Sequence, residues 1–193
     1  MKDNPRILIW INCYGAWAPD LRQPIETIGY DQYLSGVTSA VVSLKDQVDT
    51  IYVSGGLLDK NGRSECATTI PELQRRLSTV GVSRVTIQAD ESSITSISIA
   101  RKFLEVWHSE YPETIPMLFC DQVRYETNLF ILDHLKKVNQ YVLPPLREIL
   151  IPIPRLDNHQ NSTPEKQAEK LNHMRQLGVD EVERLQILER RSN

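Results

Sequence analysis

Short apolar runs and longer amphipathic stretches alternate along this chain. Ile7–Ile11, Ile51–Val53, Val85–Ile87 and Met117–Phe119 are compact runs, and a weaker one lies at Ile149–Ile153. Between them, Tyr33, Leu34, Val37, Val41, Val42 and Leu44 recur at helical spacing. Three further stripes follow: Ile70, Leu73, Leu77 and Val80; Ile97, Ala100, Phe103, Leu104 and Trp107; and Leu129, Ile131, Leu132, Leu135 and Val138. Brief apolar runs alternating with helical stripes predict βαβ units. Fully apolar strands suit a parallel sheet, because helices cover both of its faces. The expected fold is Rossmann-like α/β, a three-layer α/β/α arrangement around a mainly parallel sheet of about five strands.

The pattern changes after Pro154. "RLDNHQNSTPEKQ" is polar and loop-like. Ser162 or Thr163 can cap a helix with Pro164 at its first position, and Glu165 suits the positive end of the dipole. Leu171, Met174 and Leu177 give that helix an apolar face, and Gly178 ends it. Val179 to Arg190 reads as a second helix, amphipathic through Val182, Leu185, Ile187 and Leu188. The expected division is a main domain over 1–154 and a helical extension over 155–193. The extension docks on the main domain or on a partner, a second copy of the chain included.

Composition narrows the function classes. Of 193 residues, 40% are hydrophobic and 24% charged, ordinary for a globular protein. A net charge of −3 gives no broad pull toward nucleic acid or anionic membrane. The first apolar run is too short to span a membrane and precedes no small-residue cleavage site, which points to a cytoplasmic protein. Cys13, Cys66 and Cys120 are distant and odd in number, so they do not make a disulfide framework. Neither they nor His108, His134, His159 and His173 have zinc-ligand spacing, and no metal site is expected.

Candidate chemistry collects where strands end. In doubly wound sheets, ligands sit outside the carboxyl ends of the strands. "YVSGGLLDKNGRSE" carries one run into Gly55-Gly56 and then into a helix opening at Ser64-Glu65. Glycine permits unusual backbone angles and close approach of a ligand, and the helix start offers free N–H groups. The same residues also read as a plain turn, since no dinucleotide or phosphate-loop glycine pattern is present. "IQADESSITS" ends the next strand with Asp90 and Glu91, then supplies Ser92, Ser93 and Thr95, where one hydroxyl would suffice for a helix cap. "LFCDQVR" brings Asp121 and Arg124 to a third strand end, where they can hold a polar group or pair with each other. "NCYGAWAPD" would set Cys13 and Gly15 beside these loops, with Trp17 as a flat wall. Cys66, in the first turn of a helix, is a site for a lowered thiol pKa, but the sequence sets no histidine beside it as base.

The order of these features resembles the ElyC/SanA/YdcF family. It consists of "VSGG", then "SE" at a helix start, Gly81-Val82 closing that helix, an acidic residue, and "S-x-x-T" opening the next. The resemblance runs from about Arg6 to Pro154 and is best across Ile51 to Ala100. It implies a Rossmann-like domain, here of the soluble kind, with Gly55, Gly56, Glu65, Ser92 and Thr95 in a shared site. It also implies a nucleotide-like ligand, such as S-adenosylmethionine. Ile94 and Ser98 stand where the family often has asparagines. Arg124 and Thr127 stand where a histidine and an arginine are usual.

Together these observations predict a protein that binds a small polar or nucleotide-like molecule, through Cys13, Gly15, Gly55, Gly56, Ser64, Glu65, Glu91, Ser92, Thr95, Asp121 and Arg124. If it catalyses, Glu65 and Asp121 are the acid/base candidates. Two alternatives stay open: a hydrolase or transferase acting on a phosphate-bearing metabolite, and a non-catalytic interaction module using the C-terminal helices.

Overall fold

The computed structural model describes residues 5–13, 24–44, 46–58, 62–154 and 163–192, excluding the side chains of 24–29, 191 and 192. Gly15 and Trp17 lie outside this set. Five strands, β1 (Ile7–Asn12), β2 (Val48–Ser54), β3 (Thr86–Asp90), β4 (Ile115–Asp121) and β5 (Leu150–Ile153), form one parallel sheet in the order β3-β2-β1-β4-β5. The expected α/β fold with a parallel sheet is present. The chain reverses its direction of travel across the sheet between β1 and β4, which places the topological switch point at the centre.

The helices are α1 (Pro24–Leu44), α2 (Glu65–Thr79), α3 (Ser96–Glu110), α4 (Tyr125–Asn139), a single turn α5 (Leu146–Ile149), α6 (Pro164–Leu177) and α7 (Val179–Ser192). A 3-10 turn, Gln122–Arg124, joins β4 to α4. Side chains alternate across a strand, so each strand feeds two cores. On β1, Ile7, Ile9 and Ile11 pack with α1 and α2 residues such as Val37 and Leu73. Leu8 and Trp10 pack on the other side with Phe103 and Leu132 of α3 and α4. Trp10 stacks on Tyr52 with ring centroids 4.7 Å apart and meets Phe103 edge-on. Truncating a fully buried side chain such as Phe103 to alanine would cost about 3–5 kcal/mol.

The extension closes over the α3/α4 side. Thr163 accepts from the Lys166 amide and Pro164 opens α6, as the cap reading anticipates. Gly178 stops that helix at φ 92°, a value only glycine tolerates easily. Met174, Val179 and Val182 are buried with the α3/α4 core. Arg101 of α3 donates to Asp180 and Glu183 of α7, both at 2.8 Å. The hairpin is thus packed on its own sheet domain, while Leu177, Leu185 and Leu188 remain about half exposed.

Candidate functional site

The carboxyl ends of the strands converge as the sequence suggests, and the double glycine has a definite job there. A Cβ on Gly55 would lie 2.6 Å from Cys13 Cβ and 2.8 Å from Glu65 Cβ. On Gly56 it would lie 2.1 Å from the Glu91 carbonyl oxygen. The Gly55 amide donates to Asp90 and the Gly56 amide to Ser93. Among the described residues, the positive-φ glycines are Gly62, Gly81 and Gly178. So the space beside Gly56 is taken by the protein's own β3–α3 turn. Its smallness serves chain-to-chain approach, not an unusual backbone angle.

Around that turn the polar groups satisfy one another. Asp90 accepts from the Ser54 hydroxyl at 2.8 Å, the Ser92 hydroxyl at 2.6 Å and the Ser92 amide at 3.1 Å. Burial raises the Asp90 carboxyl, but the Ser92, Ser93 and Ser54 hydroxyls outweigh it and hold the group below its ordinary value. Ser64 caps α2 by accepting from the Ala67 amide at 3.0 Å, and its hydroxyl donates to Glu91. Thr95 is buried, and its hydroxyl accepts from the Ser98 amide while Ser98 returns a bond to the Thr95 amide. That is a capping box with serine in the third position. Ser64, Glu91, Ser92 and Thr95 therefore share one rim, with these bonds already made.

Cys13 and Cys120 are poor nucleophiles. All three cysteines are free and buried. Burial drives Cys13 well above its ordinary value, and the adjacent Cys66 thiol adds to this. Burial pushes Cys120 up to about 12. Cys66 donates to the Val53 carbonyl at 3.0 Å.

Glu65, Asp121 and Arg124 make a different neighbourhood. Asp121 is buried and accepts from the Val123 amide at 2.8 Å, which starts the 3-10 turn. That turn presents Arg124, whose Nε lies 3.9 Å from Asp121, so the two pair loosely. Burial pushes the Glu65 carboxyl up to about 7, against the opposing pull of Arg190 and then Arg124. Glu65 is thus within electrostatic reach of cations from two distant parts of the chain.

Arg190 belongs to α7, and sequence reading missed it, together with Lys170 of α6 and Ser96. The Lys170 ammonium donates to the Ser96 hydroxyl at the α3 start, and the Arg190 guanidinium donates to the Ile94 carbonyl. Burial lowers the Lys170 pKa to about 7, and repulsion from Arg124 and Arg190 adds to that. These groups line a cleft of about 550 Å³ between the hairpin and the α3 and α4 starts. A signal was present: Gln167, Lys170 and Met174 share one face of α6 by spacing, and Gln167 and Met174 are buried. A lysine on a buried stripe points at something other than bulk water.

Among the described residues, no group of three or more His, Cys, Asp or Glu side chains is placed to hold a metal. No described helix is long and apolar enough to cross a membrane. No protein-family model matches the chain, and searches of curated proteins and of solved structures returned no match.

Proposed function

We propose that this chain binds a small anionic molecule of the polar or nucleotide-like kind across the carboxyl ends of its strands, beneath the α6–α7 hairpin. One observation carries the reading. Arg124 from the turn after β4 and Lys170 and Arg190 from the hairpin line one cleft, so cations from distant parts of the chain share it. Gathering like charges costs stability, and an anion offsets that cost. S-adenosylmethionine fits less well than a phosphate- or carboxylate-bearing ligand, because its sulfonium adds another positive charge. Kinship with the ElyC/SanA/YdcF family belongs to the same proposal and is supported by the parallel sheet and by Glu65 at the strand ends. So does a cytoplasmic setting, supported by the free, buried thiols.

The enzymatic alternative draws on Glu65 itself. A carboxyl that titrates near 7 can give or accept a proton at neutral pH, as general acid/base catalysis requires. It favours a hydrolase or transferase over Asp121-based chemistry, since the Asp121 carboxylate accepts from the turn and pairs loosely with Arg124. An interaction module is the weakest reading, because the hairpin is packed on its own domain.

Native mass spectrometry of freshly purified protein tests the binding reading. The expected result is a released anionic small molecule whose retention falls in Glu65→Gln. A protein that carries no ligand and gives no calorimetric heat with phosphate- or carboxylate-bearing metabolites would refute it.

A further inference from the structure

The cleft under the hairpin has a composition that narrows the ligand further. Arg124, Lys166, Lys170 and Arg190 line it, together with Glu169 and Glu189. With Lys170 protonated, four cations stand against two carboxylates, an excess that suits two negative charges better than one. Its volume of about 550 Å³ is in the usual range for a metabolite pocket, which is roughly 300–1,000 Å³. Guanidinium groups hold phosphate oxygens in pairs of parallel hydrogen bonds, and a lysine supplies a compact counter-charge. Ser96, already bonded to Lys170, adds a hydroxyl at the same place. A nucleic-acid backbone would want an extended basic stripe, whereas here two acids share the cleft and the whole chain is acidic.

We propose that the cleft seats the terminal phosphate of a phosphate monoester in its dianionic form, with Arg124 and Arg190 as the clamp and Lys170 as the counter-charge. The α6–α7 hairpin is then a working part of the binding site, because it supplies three of the four cations that line the cleft, Lys170 and Arg190 among them. This inference rests on the anion-binding reading above and specifies both the charge class and the location.

An NMR titration of the full chain at pH 7, close to where Lys170 titrates, with methyl phosphate and with dimethyl phosphate separates the possibilities. The two probes differ in one methyl group and one charge. The expected result is that methyl phosphate shifts amides of Ser96, Arg124 and α6, and that dimethyl phosphate binds at least tenfold more weakly. Arg190→Gln, an exposed change near the end of α7, should weaken methyl phosphate by tenfold or more with an unchanged spectrum elsewhere. Lys170→Met should do the same. If that variant fails to fold, Arg190→Gln decides alone. Equal binding of the two probes, or methyl phosphate binding untouched by Arg190→Gln, overturns the phosphate seat while leaving an anion site at the strand ends. No shift with either probe also overturns it. A ligand still released in native mass spectrometry would then keep the broader reading alive.

Discussion

The carboxyl ends of β2 and β3 lie on one side of β1 and that of β4 on the other, and the two regions are built on opposite terms. At β2 and β3, Ser54, Asp90, Ser92, Ser64 and Glu91 bond to one another around a turn that fills the space beside Gly56. Beside β4, Arg124 shares a cleft with Lys170 and Arg190 from the hairpin, where burial first and repulsion from the two guanidinium groups second lower the Lys170 pKa to about 7. Polar groups that complete each other hold a loop in place. Like charges brought together raise the energy of their surroundings, and the proposed anion would lower it again. Density of polar residues drew attention to the first region in the sequence, whereas charge imbalance marks the second.

Four changes test this contrast. The largest effect is expected from Gly56→Val, whose new side chain would meet the Glu91 carbonyl. A loss of about 3 kcal/mol or more in chemical denaturation, or failure to fold, is expected. A neutral result would mean that the turn gives way easily. Asp90→Ala comes next: it strands the Ser54 and Ser92 donors and should cost about 1–3 kcal/mol, with the ligand affinity of the folded protein unchanged. Weakened binding would instead bring the closed network into the site. Thr95→Ala removes a cap and should cost about 1 kcal/mol, again without an effect on binding. Arg190→Gln should leave the denaturation midpoint where it is, while ligand affinity falls about tenfold, roughly 1.4 kcal/mol. A destabilised protein with intact affinity would reverse the assignment of the two regions.

The two raised and lowered groups add a pH signature. Unfolded, Lys170 titrates near 10.5, but in the folded protein near 7. Between those values the unfolded chain holds a proton that the folded one has shed. Stability from this group therefore climbs as pH rises across the window and is lost as pH falls toward 7. Glu65 works the other way: folded near 7 and unfolded near 4.5, it makes stability fall as pH rises between those values. Melting temperatures from pH 5 to 10 should show the upper slope flattened in Lys170→Met and the lower slope flattened in Glu65→Gln. A variant profile parallel to the parent over its window would show that the group does not titrate there.

The strands were legible because a parallel sheet demands unbroken apolar runs, and Ile7–Ile11 or Met117–Phe119 suits little else. The C-terminal helices were legible through Thr163, Pro164 and Gly178, whose backbone preferences are local. The short α5 turn and the 3-10 turn carrying Arg124 were not, because neither is long enough to show a period. The candidate site was legible only on the sheet side. Glu65, Asp121 and Arg124 follow directly from strand ends, whereas Lys170 and Arg190 reach the same place through tertiary docking. Nothing in their local sequence names Ser96 or Ile94 as partners. Surplus hydroxyls at Ser92 and Thr95 suggested ligand contacts, but one bonds to Asp90 and the other to Ser98.

The sheet order also carries a kinetic consequence. Ile7 pairs with Val48 on one side of β1 and with Ile115 on the other. The first pairing closes a modest loop, whereas the second closes one more than twice as long and must wait for β2, β3 and their helices to find their places. The seam between β1 and β4 is thus the late step in assembly, and it lies directly beneath the crevice. Pulse-labelled hydrogen exchange should show β2 amides protected before those of β4. Until that seam zips, Glu65 and Arg124 belong to separate halves of a collapsing chain, and any molecule that bridges them can bind only the finished fold.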